Sequence, residues 1–222
     1  MKKKIEQMEE ALSIRNAPGR AKRNRENPVD NLIRTILSQN TNGPLRDRAY
    51  ASLKERFPTH EAIAAAPPAE IATAIRVAGL ANQKSTAIRD ALAGMRRQGG
   101  EISLDFLKDV PTQEAIDYLT GFRGIGDKTA AIVMLFSFGR KTFPVDTHIQ
   151  RIAKRVGLVP HTYTPEKIRR AVEPCITEGL AQQLHVSLIR LGKSVCRPKE
   201  PACNSCPLRS LCKFASGGGE SN

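Results

Sequence analysis

Apolar residues recur at helical spacing along nearly the whole chain. Leu32, Ile33, Ile36 and Leu37 fall on one face of a helix, as do Ile168, Val172 and Ile176, and later Leu184, Leu188 and Leu191. No stretch alternates with the two-residue period of a half-buried strand. The pattern predicts an all-α protein with short connections, punctuated by Pro28, Pro44, Pro58, Pro67, Pro68 and Pro111. Residues 15 to 25, "RNAPGRAKRNR", break the periodicity with five basic side chains and no acid, and read as a basic arm or a solvated linker. The last eight residues, 215 to 222, "ASGGGESN", read as a disordered tail.

Charge narrows the partner. The 222 residues carry a formal net charge of +13, which favours a polyanion, nucleic acid first among them. An apolar run of about 18 residues, the length of a spanning helix, is missing. Lys2, Lys3 and Lys4 have no apolar stretch behind them, so the reading is a cytoplasmic, nucleoid-associated monomer with no membrane. In a reducing compartment clustered cysteines bind metal more often than they pair.

Three stretches carry candidate chemistry. In "GFRGIGDK", Gly124 and Gly126 let backbone N–H groups approach a ligand just where a helix opens near Asp127, an arrangement suited to a phosphodiester. Lys128 follows; taken alone it is an ordinary lysine at a helix start. "GLANQKSTAI", 79 to 88, weakly echoes this turn–lysine–helix order. In "FPVDTHIQRIAKR", 143 to 155, Asp146 stands before a basic amphipathic helix, in the place of an N-cap. Finally Cys196, Cys203, Cys206 and Cys212 form a C-x6-C-x2-C-x5-C pattern, a strong metal signal whose spacing accommodates zinc and iron–sulfur alike. Cys175 lies outside it, beside Ile168, Val172 and Ile176, and reads as core.

Gly124, Gly126, Lys128, Thr129 and Ala130, followed by Val145, Asp146, Thr147, His148 and Arg151, resemble the helix-hairpin-helix DNA glycosylases; with the cysteine spacing, the similarity is to the endonuclease III family over roughly residues 28 to 213. That resemblance implies a two-domain helical fold: a helical barrel over 22–140, and 1–21 together with 141–222 forming a domain around a [4Fe–4S] cluster held by the four cysteines. The cleft between them would carry Lys128 and Asp146. The implied reaction is removal of oxidised pyrimidines from double-stranded DNA, with a second action at abasic sites. Only a neutral amine attacks carbon; Lys128 would then bond to C1′ as a Schiff base and drive β-elimination, while Asp146 stabilises the cationic sugar and assists proton transfer. The adenine-mismatch branch of the family generally lacks such a lysine.

The resemblance also implies a set of contacts. Gly124, Gly126, Asn82, Lys84, His148, Arg151, Arg197 and Lys199 would hold DNA, and Leu80 of "GLANQK" would fill the gap left by the extruded nucleotide. Ser38, Gln39 and Asn40 would line the base pocket. There the chain departs from the family: Asn40 takes the place of a glutamine, Gly43 that of an aspartate, Arg123 that of a proline, and Thr120 stands where an acid is common. Losing two carboxylates alters base selection more than elimination. Two other readings stay open: a relative specialised for mismatched or dimerised pyrimidines, and a non-catalytic iron–sulfur DNA-binding protein.

Overall fold

A computed structural model describes residues 1–14, 26–177 and 179–217. The basic stretch 15–25 and the end of the tail, 218–222, therefore lie outside the described residues; Ala215 to Gly217 continue as turns, with Ser216 Oγ donating to Cys212 O at 3.2 Å. The described residues form helices joined by short 3₁₀ turns and loops, without a strand, as the periodicity predicts. The helices are α1 (Lys2–Ala11), α2 (Pro28–Leu37), α3 (Gly43–Arg56), α4 (His60–Ala65), α5 (Pro68–Ala74), α6 (Ala81–Gly99), α7 (Thr112–Thr120), α8 (Asp127–Phe136), α9 (Thr147–Val156), α10 (Pro165–Val172) and α11 (Ala181–Ser194). By their internal packing they divide into two compact units, Asn24–Phe138 and Met1–Arg23 with Gly139–Asn222.

In the unit Asn24–Phe138 the prolines mark helix starts, where a missing N–H costs nothing. Asn27 caps α2, its side chain accepting from Val29 N at 2.9 Å with Pro28 at the first position, and Asn42 caps α3 by accepting from Leu45 N at 3.0 Å. Leu32, Ile33, Ile36 and Leu37 enter one core with Leu53, Ile63, Ile71, Ile88 and Leu92, all at most 1% exposed.

One polar link joins two helix starts of this unit: His60 Nε2 lies 2.6 Å from Asp30 Oδ1. Burial by itself raises the Asp30 carboxyl, but hydrogen bonds from His60 and Tyr50 outweigh it and hold the carboxyl below its ordinary range. The folded pKa thus lies below the unfolded one, about 3.9. As pH falls the unfolded chain takes the proton first, so the contribution is full at neutral pH and is lost on acidification through the folded pKa. Asp30→Asn is expected to lower the melting temperature at pH 7 by a few degrees, the equivalent of about 1 kcal/mol. In thermal denaturation the gap between variant and parent should close steadily below about pH 4.

In the second unit, α9, α10 and α11 bury Ile149, Ile152, Ile168, Val172, Leu184 and Leu188. Glu9 of α1, fully buried, accepts from Thr177 N at 2.9 Å and Thr177 Oγ1 at 2.5 Å. The segment leading into α9 is also held by side chains: Glu173 Oε1 accepts from the Thr142 hydroxyl and from Phe143 N at 2.9 Å, Arg169 Nη1 reaches the same carboxylate at 3.1 Å, and His185 Nδ1 lies 3.2 Å from Pro144 O. Cys175 is half-buried in a 3₁₀ turn, its thiol directed at Ala171 O, so it sits at the margin of the core.

Candidate active site and cysteine loop

The hairpin is α7, the turn 121–126 and α8. Gly124 adopts φ +84°, a left-handed conformation that favours glycine, and a Cβ there would lie 2.8 Å from Ala87 Cβ, so the turn packs against α6 only without a side chain. Gly126 is the N-cap of α8 and contributes no capping side chain; nothing lies within 4 Å of where its Cβ would be. The start of α8 is therefore an open, positively polarised helix end. Lys128 is the second residue of that helix. It is exposed, and among the described residues it makes no hydrogen bond or ion pair.

Asp146 takes the position its sequence context suggests, as N-cap of α9, with Oδ1 accepting from Ile149 N at 2.8 Å. The cap fixes the carboxylate's orientation, and the bonds of Glu173 and His185 to residues 142–144 fix the backbone before it.

Leu80 is 49% exposed and sits at φ 49°, ψ 35°, directly before α6. A left-handed leucine costs on the order of 1–2 kcal/mol, and an exposed one gains nothing from burial to offset it. Beneath it the structure departs from expectation. Lys84 does not offer its charge to DNA: it is 2% exposed, and its ammonium donates to Leu37 O at 2.8 Å, Ala78 O at 2.8 Å and Thr41 Oγ1 at 3.2 Å. Burial pushes its pKa down, while these acceptors favour the charged form. Lys84 thus ties the end of α2 to the turn that carries Leu80. Asn82, also expected at DNA, is exposed in the first turn of α6. Lys84→Met should destabilise the protein by about 2–3 kcal/mol, since three carbonyl or hydroxyl acceptors lose a charged donor, and the shift in a urea unfolding midpoint measures it.

His148 and Arg151, also expected at DNA, are half-buried and have neighbours within the protein. The His148 side chain lies over Gly192, where a Cβ would meet it at 2.6 Å. Arg151 donates to Cys196 O at 2.9 Å and Gly192 O at 2.8 Å, and its Nη2 lies 3.1 Å from His148 Nδ1. The Arg151 guanidinium thus ties α9 to α11 and the cysteine loop. Arg197 and Lys199 remain exposed on that loop, Arg197 donating to Glu200 O at 3.1 Å.

Of the three residues expected in a base pocket, Ser38 alone lines a cavity of about 370 Å³, together with Asn31 and Thr35 of α2, Ile132 and Phe136 of α8, and the charged side chains of Glu26, Arg34 and Arg46. Gln39 Nε2 instead donates to Gly124 O at 3.3 Å, and Asn40 is exposed at φ 51°. Asn31, Thr35, Ile132 and Phe136 were missed by sequence reasoning. The signal was spacing: Asn31, Thr35 and Ser38 follow one another at four and three residues, and Ile132 and Phe136 follow Lys128 at steps of four, so each set shares a helix face. The cavity floor is polar, with Asn31 Nδ2 donating to Ser137 Oγ at 2.7 Å and Thr35 Oγ1 to Asn31 O at 2.7 Å.

Cys196, Cys203, Cys206 and Cys212 all line one small cavity of about 20 Å³. Burial pushes the Cys206 thiol up, and the other three cysteines add to that. Arg155 Nη1 donates to Cys196 Sγ at 3.5 Å, while the Arg155 guanidinium also binds Arg197 O at 2.7 Å and Pro198 O at 2.9 Å and lies over the Phe214 ring at 4.6 Å. Four converging thiols beside a fixed guanidinium are a donor set that fits a cysteine-ligated cluster, whose binding removes the thiol protons. Among the described residues no group of His, Cys, Asp or Glu meets the spacing of a single metal ion.

The chain was compared with known proteins. Residues 33–177 match the description "HhH-GPD superfamily base excision DNA repair protein". An Arabidopsis thaliana protein named as a candidate DNA glycosylase is 34% identical over 192 residues, 82% of this chain and 66% of that protein, so the chain spans just under two thirds of it. Endonuclease III of Sulfolobus acidocaldarius is 33% identical over 185 residues, 82% of this chain and 80% of that enzyme. A trapped endonuclease III–DNA covalent intermediate, an estranged-adenine complex, superposes with a TM-score of 0.79 at 26% identity, covering 98% of both chains. With the hairpin and the helical architecture already described, these matches assign the chain to the endonuclease III family of helix-hairpin-helix base excision repair glycosylases.

Proposed function

We propose that the protein is a bifunctional DNA glycosylase and abasic-site lyase acting on oxidised pyrimidines in double-stranded DNA. The observation that carries this reading is Lys128: exposed, without an ion pair among the described residues, and directly behind a glycine turn suited to a phosphodiester. A binding module needs no such amine. The hairpin amides hold the backbone, Leu80 occupies the space of the extruded nucleotide, and the cavity beyond Lys128 on α8 receives the base. Its lining is mixed: the Thr35 and Ser38 hydroxyl oxygens, whose protons go to Asn31 O and Thr35 O, can accept from a ring edge, Glu26, Arg34 and Arg46 add charged groups, and Ile132 and Phe136 offer apolar walls.

The Lys128 amine attacks C1′ as the base departs with the bonding electron pair and is protonated. Loss of a proton from nitrogen and opening of the ring give the Schiff base, whose iminium draws electrons when the C2′ proton is removed. The C3′–O bond then breaks, and the strand is cut 3′ to the lesion. The Asp146 carboxylate stabilises the cationic sugar and moves protons to and from the amine. Held by Cys196, Cys203, Cys206 and Cys212, a [4Fe–4S] cluster would supply a rigid cross-link that presents Arg197 and Lys199 to phosphate.

Borohydride reduction traps a Schiff base as a stable adduct, and this is the test. Adducts are expected with an abasic site and with thymine glycol. Adducts at a mismatch or a pyrimidine dimer but not at thymine glycol would transfer the chain to those lesions; no adduct on any duplex would overturn the lyase reading, and release of free base would then separate a hydrolytic glycosylase from a DNA-binding protein without base removal.

A further inference from the structure

Where α9 ends, the unit formed by Met1–Arg23 and Gly139–Asn222 holds a positively charged recess of its own. Gly157, at φ 73°, terminates the helix, and the chain then turns through Leu158 to His161. A cavity of about 380 Å³ opens there, lined by Lys154, His161 and Lys213 with Arg155 and Phe214 as one wall, and no carboxylate lines it. Among the described residues no acid pairs with Lys154, His161 or Lys213.

Part of this charge has a structural reason. Cations favour a helix C-terminus, and Lys4 reaches Val156 O at 2.6 Å there. Arg155 is committed to Arg197 O and Pro198 O. The helix dipole does not account for Lys213, which comes from the segment after the last cysteine, nor for His161, which lies beyond the helix. The stem of Lys213 lies over Gly157, where a Cβ would meet it at 2.3 Å, so that glycine leaves room for the lysine. Lys213 also crowds Lys4: after burial, its charge is the next cause that lowers the Lys4 pKa. The Cys212 sulfur offsets part of this charge, and the remaining repulsion among the gathered cations is a cost that a bound anion relieves.

We propose that this recess is a phosphate-binding site, in which Lys154, Lys213 and His161 take the oxygens of a phosphate group. Its volume exceeds one phosphate and lies in the range of small-ligand pockets. The same chemistry is presented by the backbone of a duplex running past the unit and by a free nucleotide or pyrophosphate. The proposal does not depend on Lys128 or on the reaction at C1′.

The test uses the full-length protein and a Lys154→Met/Lys213→Met variant, which keeps both stems and removes both charges. The first arm titrates inorganic pyrophosphate while following the His161 ring by NMR. The wild-type signal should move in a saturable way and the double variant should bind about tenfold or more weakly, the loss of at least one charged contact. The second arm measures undamaged duplex binding against salt, where each phosphate contact removed should reduce the log–log slope by about 0.9. A weaker pyrophosphate response with a reduced slope assigns the site to duplex backbone; the same response with an unchanged slope assigns it to a free phosphorylated ligand. If pyrophosphate leaves wild-type His161 unmoved, or moves it equally in the variant, there is no phosphate site. Should the double variant melt early, Lys154→Met alone, on the half-buried helix face, gives the same comparison.

Discussion

Lys128→Ala is expected to yield no borohydride adduct at an abasic site and to lower strand cleavage by about 10⁴-fold, the scale on which losing a nucleophile registers. The protein should still bind the same duplex, because the hairpin amides and the exposed cations of the cysteine loop are untouched. Folding should be unchanged as well: Lys128 is exposed and bonds to no described residue, so its truncation removes no packing. This combination separates a nucleophile from a phosphate ligand. A lysine that merely held phosphate would, when removed, weaken binding at every sequence and reduce the salt slope by about 0.9 while leaving cleavage at saturation near normal. Asp146→Asn retains an oxygen that can cap Ile149 N, so α9 should start in the same place, and cleavage should fall by about 10²–10⁴-fold through loss of charge and proton transfer. If Lys128→Ala still gave adducts at wild-type yield, the amine would belong elsewhere.

Removing a cysteine ligand of the proposed cluster is expected to have the largest effect on stability. Cys206→Ser should abolish the broad brown absorbance of an iron–sulfur protein and lower the melting temperature by roughly 10 °C, on the scale of several kcal/mol for a structural metal site and 2–4 °C per kcal/mol for a chain of this size. The effect follows from the local structure. The cysteine loop has Leu208 as its one buried residue between Cys196 and Cys212, so little apolar burial holds it without a cluster. The polar contacts that hold it include the fork of Arg155 to Arg197 O and Pro198 O, the bond of Arg151 to Cys196 O, and that of Phe214 N to Arg155 O. Arg155→Lys, which cannot reproduce the fork, should loosen the loop while leaving the four cysteines in place. A colourless wild-type protein carrying zinc would overturn the iron assignment while leaving the four-thiol site intact.

The local geometry of short, contiguous motifs was legible in the sequence. The hairpin glycines, Lys128, the Asp146 cap and the cysteine spacing each depend on residues a few places apart, and local geometry follows directly from such spacing. Lys84, His148 and Arg151 show where this reading stops. Each is a polar residue beside a recognisable motif: Lys84 turns to carbonyls 47 and 6 residues away, Arg151 to carbonyls 45 and 41 residues away, and the Nδ1 of His148 lies beside Arg151. No local pattern distinguishes a cation that meets phosphate from one that meets the carbonyl at the end of another helix. Ser38, Gln39 and Asn40 diverge for a related reason: they stand where α2 ends, and small changes in direction there send three neighbouring side chains to a cavity, to the hairpin and to solvent.

By itself the sequence determined the helical class, the helix start at Asp146, and the four cysteines as one set, because periodicity, capping and ligand spacing act over a few residues. Only the tertiary structure decided which cations are consumed internally and which face outward, and only it brought Asn31 and Thr35 to the same cavity as Ile132 and Phe136, roughly a hundred residues later. The physical reason is that burial and pairing of a polar group depend on what packs against it from distant parts of the chain, a choice fixed by the collapse of the whole core and not by the neighbours of the residue.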